Sequence, residues 1–238
     1  PLPPQRRQAR HLLHRHQALT AIHRPETSEQ LQQARHRLVF DEFLLLQLGL
    51  MQRRAALRQR TAPSLRIASD RDGLLGRFLD NLPFQFTNAQ NRVLAEIDED
   101  LERSEPMARL VQGDVGSGKT VVAVAALLKA IQAGWQGAMM APTEVLAEQH
   151  YRSLCQWLPP LHVTVELLTG STPLKKRRQM LADVASGACK VLVGTHALLE
   201  DPVAFDRLGL VVVDEQHRFG VRQRNRLLGK GLQPHLLT

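Results

Sequence analysis

The stretch Gly113-Asp114-Val115-Gly116-Ser117-Gly118-Lys119-Thr120 constrains this chain more than any other. It fits G-x-x-x-x-G-K-[ST] at every fixed position, between an apolar run (107–111) and a helical run (121–131). Strand, glycine-rich turn and helix N-terminus are the context a phosphate-binding loop requires. Backbone N–H groups of Gly113, Gly116, Ser117 and Gly118 can then cradle phosphate oxygens at the positive end of a helix dipole. Lys119 would reach the β- and γ-phosphates, and the Thr120 hydroxyl would ligate Mg²⁺. Much further on, Asp214-Glu215-Gln216-His217 follows the fully apolar Leu210-Val211-Val212-Val213. That places Asp214 at the C-terminal end of a strand, where it can hold Mg²⁺ through water while Glu215 polarises the attacking water. An acidic pair alone is a weak signal, because helix N-caps look similar. In this order with the phosphate loop, the two motifs imply a nucleotide-hydrolysing motor domain working on ATP with Mg²⁺; Lys119, Asp214 and Glu215 are the expected catalytic residues, and Thr120 and Asp214 the metal-binding ones.

Charge is unevenly spread along the 238 residues. Residues 1–80 hold 14 Lys/Arg against 7 Asp/Glu, whereas residues 81–238 hold 17 against 16. The basic N-terminal piece suits a nucleic-acid partner, although a solvated Arg-rich helix surface explains the charge equally well. Cys155 and Cys189 lack the spacing of a metal site or a disulfide framework, which suits a reducing cytoplasm. The cluster His11, His14 and His16 has no Cys or carboxylate companion, so no zinc site is expected there. No secretory signal is visible, and the longest apolar run, 43–51, falls well short of the roughly 20 residues a membrane span needs. No membrane partner is expected, and the protein is expected to be a monomer. Without an initiator Met, and stopping in Leu236-Leu237-Thr238, the chain reads as a fragment.

Proline punctuates a loosely patterned beginning, after which 28–60 reads as one long helix with Thr27 or Ser28 as N-cap. Its second half, 40–51, is apolar almost all round and should pack on something larger. Residues 61–83, with Pro63, Gly73, Gly76 and Pro83, look like a connector. From Phe84 onward the pattern alternates. A helix is predicted over 88–103, then strands near 107–111, 138–141, 163–168, 190–193 and 210–214. Helices near 119–133, 144–157, 174–186 and 219–228 separate them, and 236–238 would start another strand. Unalternated apolar strands between helices predict an α/β domain with a parallel sheet covered on both faces.

Three further segments narrow the function. Ala141-Pro142-Thr143-Glu144-Val145-Leu146-Ala147-Glu148-Gln149-His150 follows the second strand, Leu168-Thr169-Gly170-Ser171 the third, and Gly194-Thr195-His196-Ala197-Leu198-Leu199 the fourth. All sit at C-terminal strand ends, where open α/β sheets bind ligands. Small and hydroxyl residues there suit contact with a sugar-phosphate backbone. In this order the segments resemble the motifs of superfamily-two helicases and translocases, and within them the DNA helicases that remodel branched DNA. The most specific part is Asp214 to Val221, and Arg35-His36-Arg37-Leu38-Val39-Phe40-Asp41-Glu42 also fits that group.

The resemblance implies a RecA-like P-loop domain over 84–238, the first of two, and a helical connector over 1–83 that follows a wedge domain. It implies ATP-driven fork reversal and Holliday-junction migration, in DNA repair and recombination, on branched or forked DNA. Phe84 and Gln90 would read the adenine. Pro142, Thr143, Thr169, Gly170, Thr195 and His196 would touch DNA or transmit its binding, and Gln216 and His217 would couple the acidic motif to the next one. The wedge and the second motor domain, with its arginine finger, would be partners in cis. Three alternatives stay open. A duplex translocase like the transcription-repair coupling factors has similar motifs, although it is expected to differ at His217. A non-catalytic DNA-binding remnant is another. A transporter ATPase would need a signature segment that 203–209 does not contain.

Overall fold

The structure, a computed structural model, describes residues 2–67 and 73–238. They fall into two compact units, Pro1–Leu57 and Arg58–Thr238.

The first unit is helical: α1 (Pro4–Gln8), α2 (Arg15–His23) and most of α3 (Ser28–Arg58). The proline-punctuated beginning therefore contains two helices that sequence patterning does not show. Small residues let α2 and α3 approach closely, with Ala18, Ala21 and Ala34 buried and Leu13, Ile22 and Leu38 packed around them. Arg37 is buried on α3 and pairs with Asp41 one turn on at 3.0 Å. The apolar stretch of α3 is left open: Phe43 is 61% exposed, and Leu45, Leu46, Leu48, Leu50 and Met51 are exposed beside it.

The second unit carries the sheet. Its elements are α4 (Leu74–Asn81), α5 (Asn88–Leu101), β1 (Ala108–Arg109), α6 (Lys119–Gln132), β2 (Gln136–Met140), α7 (Glu144–Trp157), β3 (Val165–Leu168), α8 (Leu174–Ala185), β4 (Val191–Gly194), β5 (Leu208–Val213), α9 (Val221–Leu228) and β6 (His235–Leu237). The six strands run in the order β1-β6-β5-β2-β4-β3, and every pairing is parallel. Each residue of β2, β4 and β5 is buried, as expected for a sheet covered on both faces. Alternate residues serve opposite cores. Met139, Val191, Val193, Leu210 and Val212 meet α4–α7 on one face. Ala138, Met140, Leu192, Val211 and Val213 meet α8 and α9 on the other. Helix α6 is buried from Val121 to Ala130, apolar almost all round, which fixes the loop before it against the sheet.

The predicted α/β architecture is the one observed, with differences at its start. Residues 61–83, read as a connector, lie largely inside the second unit: Leu65, Leu75 and Phe78 belong to its core. The Phe78 ring meets Trp157 edge-on at 6.0 Å. Helix α4 was not predicted because it is short and flanked by Gly73 and Pro83. Its first N–H, from Leu74, is satisfied across the chain by Gln132 Oε1 at 2.6 Å. Strand β1 is shorter than the predicted 107–111, although backbone hydrogen bonds from Leu236 to Met107 and from Val111 to Thr238 extend its pairing with β6. The helix predicted from 219 starts at Val221, after a single 3₁₀ turn (Gln216–Arg218).

Candidate active site

Loop 113–118 turns between β1 and α6 on two left-handed glycines. Gly116 and Gly118 have φ of +81° and +82°, a region costly for residues with a Cβ. A Cβ on Gly118 would also stand 2.3 Å from Gln90 Nε2. The loop encloses the Lys119 ammonium, which donates to the carbonyls of Gly113 (2.6 Å) and Asp114 (2.9 Å).

Opposite the loop, β5 delivers Asp214. Its backbone N–H donates to Met140 O on β2 at 2.9 Å, which seats it at the strand end. Its Oδ1 accepts the Glu215 N–H at 2.9 Å, and its Oδ2 lies 2.8 Å from His150 Nε2 on α7. The bond from His150 holds the Asp214 carboxyl below its ordinary pKa, against an opposing burial penalty, so the group is ionised. Glu215 adopts a left-handed backbone (φ 49°, ψ 50°), a strained conformation for a non-glycine residue. Its carboxylate lies 3.4 Å from His217 Nε2, and both side chains are exposed.

Gly113, Gly116, Ser117, Gly118, Lys119, Thr120, Asp214, Glu215, Gln216 and His217 thus converge on one cavity of about 730 Å³. The donor set fits a triphosphate with a hard divalent cation. A glycine cradle whose Gly116 and Gly118 take left-handed backbone faces an ionised, doubly hydrogen-bonded carboxylate, a hydroxyl (Thr120) and an ammonium, all lining one cavity of ligand size. His150 lines the same cavity. Sequence reasoning placed it in the segment after the second strand but gave it no role; the available signal was its spacing from Ala147 and Leu154, the buried residues of α7.

The two residues expected to read a base lie outside this cavity. Gln90 donates through Nε2 to Ser117 O at 2.9 Å, which ties α5 to the phosphate loop, and accepts the Thr87 N–H through Oε1 at 2.8 Å in the capping box that starts α5. Phe84 is exposed.

The predicted DNA-contact residues sit along the same sheet edge in two groups. Pro142, Thr143 and His196 line a second cavity of about 440 Å³ with Arg218, Phe219 and Gln223. Thr143 caps α7, accepting the Leu146 N–H at 3.3 Å. Thr169 and Gly170 lie in the loop after β3, which Ser171 ties to Glu144 through a 3.0 Å hydrogen bond. Thr169 and Thr195 are buried, and among the described residues the Thr195 hydroxyl has no hydrogen-bond partner. Their placement suits transmission better than direct contact. Of the basic residues flanking these loops, Arg177 pairs with Glu200, Arg226 with Asp201, and Arg224 donates to Gln216 O.

A parallel six-stranded sheet with a phosphate loop after β1 and an acidic motif after β5 is the RecA-like fold of helicase motors. Residues 87–233 match the family of DEAD/DEAH box helicases, and the chain belongs to it. Within that family the similarity is to the ATP-dependent DNA helicase RecG: 55% identity to that of Synechocystis sp. over 238 residues, and 50% to that of Bacillus subtilis over 237. Each comparison covers the whole of this chain but only 28% and 34% of the relative. A solved structure described as RecG bound to a three-way DNA junction matches with a TM-score of 0.86 at 39% identity, over 99% of this chain and 31% of that one. The chain thus spans about a third of the length of the RecG proteins it resembles. Among the described residues no helix is long and apolar enough to cross a membrane.

Proposed function

We propose that this chain is the ATP-binding part of an ATP-dependent DNA helicase that remodels branched DNA, coupling hydrolysis to fork reversal and Holliday-junction migration. The observation that carries the reading is the convergence of the glycine cradle, Lys119, Thr120, Asp214 and Glu215 on one cavity, in a chain similar to helicases named RecG. The junction-bound relative supports branched DNA as the substrate class. Mg²⁺, when bound, would offset negative charge on the β- and γ-phosphates. The loop N–H groups and Lys119 would orient the triphosphate. Thr120 and Asp214 would hold the cation, Asp214 through water. Glu215, exposed at the cavity mouth and steered by its left-handed backbone, would take the proton of the attacking water. Pro142, Thr143 and His196 would meet the DNA backbone, while the buried Thr169 and Thr195 relay its binding.

Charge on the transferred phosphoryl would be completed by an arginine from a second motor domain, for which the extra length of the relatives leaves room. The test is conversion of a model replication fork to a four-way junction by the complete protein. We expect conversion that needs ATP and is lost in Lys119→Ala. Conversion without ATP, or full activity in that variant, would refute the reading.

A further inference from the structure

His150 closes the segment that follows the second strand, where only Pro142 and Thr143 were expected to act, yet it is the side chain that fixes the acidic motif. It sits on α7 one turn beyond buried Ala147 and one turn before buried Leu154, so the helix face packed on the sheet presents it toward the strand ends. Its side chain is 13% exposed. Asp214 is ionised and can only accept, so the His150 Nε2–H is the donor of the 2.8 Å bond to Oδ2. With Oδ1 taken by the Glu215 N–H, His150 supplies the second of two restraints on rotation of this carboxylate. Helix α7 begins at the Thr143 cap, and its first residue, Glu144, is bonded to Ser171 in the loop after β3. One rigid helix therefore runs from the sheet edge that would meet DNA to the carboxylate that would hold the cation.

We propose that His150 is a positioning residue: it orients Asp214 for the divalent cation and ties that orientation to the seat of α7. The inference rests on the nucleotide reading above. Hydrogen-bond partners one step removed from a metal typically change its affinity 10- to 100-fold, and a carboxylate free to rotate should lose a comparable factor here.

The experiment is calorimetric titration of ATP into the 238-residue chain, first in EDTA and then at stepped Mg²⁺ concentrations. The variants are His150→Ala, His150→Gln and His150→Met. Gln keeps an N–H donor near the position of the ring Nε2, while Met matches its length without one. The expected result is unchanged ATP affinity in EDTA for all, with the Mg²⁺ midpoint raised about 10- to 100-fold in Ala and Met and restored close to the wild-type value in Gln. A purely structural role would not sort Gln from Met in this way. Should Ala fail to fold, the Gln and Met pair decides. Equal Mg²⁺ midpoints in Gln and Met overturn the positioning role while leaving the nucleotide site intact, as does ATP binding that is indifferent to Mg²⁺ in the unaltered chain. Failure of the unaltered chain to bind ATP in either condition overturns the nucleotide reading itself, and this inference with it.

Discussion

Lys119 and Glu215 face the same cavity with different tasks, and substitution separates them. In the proposed reading the ammonium of Lys119, held within 3 Å of two loop carbonyls, would be a ground-state ligand for phosphate. Lys119→Ala should weaken ATP binding about 10- to 100-fold, the range for one charge-assisted hydrogen bond. Glu215 would act on the water and not on the bound triphosphate. Glu215→Gln should leave ATP affinity within a few-fold while lowering turnover of the complete protein by at least ~100-fold, the low end for a general base. Parallel calorimetry and steady-state turnover check this; an equal loss of binding in both variants contradicts the division. These residues were legible in the sequence because each lies within a short motif. His150 was not, because its bond to Asp214 joins residues 64 apart and exists only once α7 has docked. Gln90 was legible as part of the site, but the structure engages both ends of its amide, one in capping α5 and the other in tying it to the loop.

At the scale of elements, β6 is pinned by a buried histidine. His235 is fully buried; its Nδ1 accepts the Met107 N–H at 3.1 Å and its Nε2 donates to Pro63 O at 2.7 Å. That pattern needs the neutral ring, and burial lowers its pKa from the ordinary 6.5. The unfolded chain therefore binds the extra proton first as pH falls, so stability drops with acidification. His235 should contribute fully above about pH 6.5. The loss should begin below that pH, grow by up to about 1.4 kcal/mol per unit, and level off beneath the lowered folded pKa. Urea melts from pH 7.5 to 5 should be less pH-dependent in His235→Gln than in the unaltered chain; identical slopes would show that the ring does not titrate on unfolding. The central strands were easy to foresee, since β4 and β5 are unbroken apolar runs. Helix α4 and the burial of Leu65 were not, because a short helix between Gly73 and Pro83 takes its stability from Phe78 on Trp157, a contact no local pattern encodes.

For the whole molecule, the second motor domain proposed above would set the rate. Everything proposed to cradle ATP lies in this chain, whereas the arginine proposed to neutralise the transition state is assigned to the second motor domain. An arginine finger contributes roughly 10³ to 10⁵ in rate, or about 4–7 kcal/mol of barrier. The 238-residue chain should bind ATP with Mg²⁺ yet turn it over slower than the complete protein by a factor of that order, with little stimulation by forked DNA. DNA-stimulated turnover equal to that of the complete protein would remove the need for a second domain. The sheet order also has a bearing on how the chain is made. Among the described residues β1 pairs with β6 alone, and Met107 meets His235 across 128 residues of chain. At a synthesis rate of roughly 5–20 residues per second, the strand that leads into the phosphate loop leaves the ribosome about 6–25 s before its neighbour exists. The proposed triphosphate cradle would therefore be among the last parts of the sheet to be seated, and a nascent chain stalled before β6 would have no finished nucleotide site to fill.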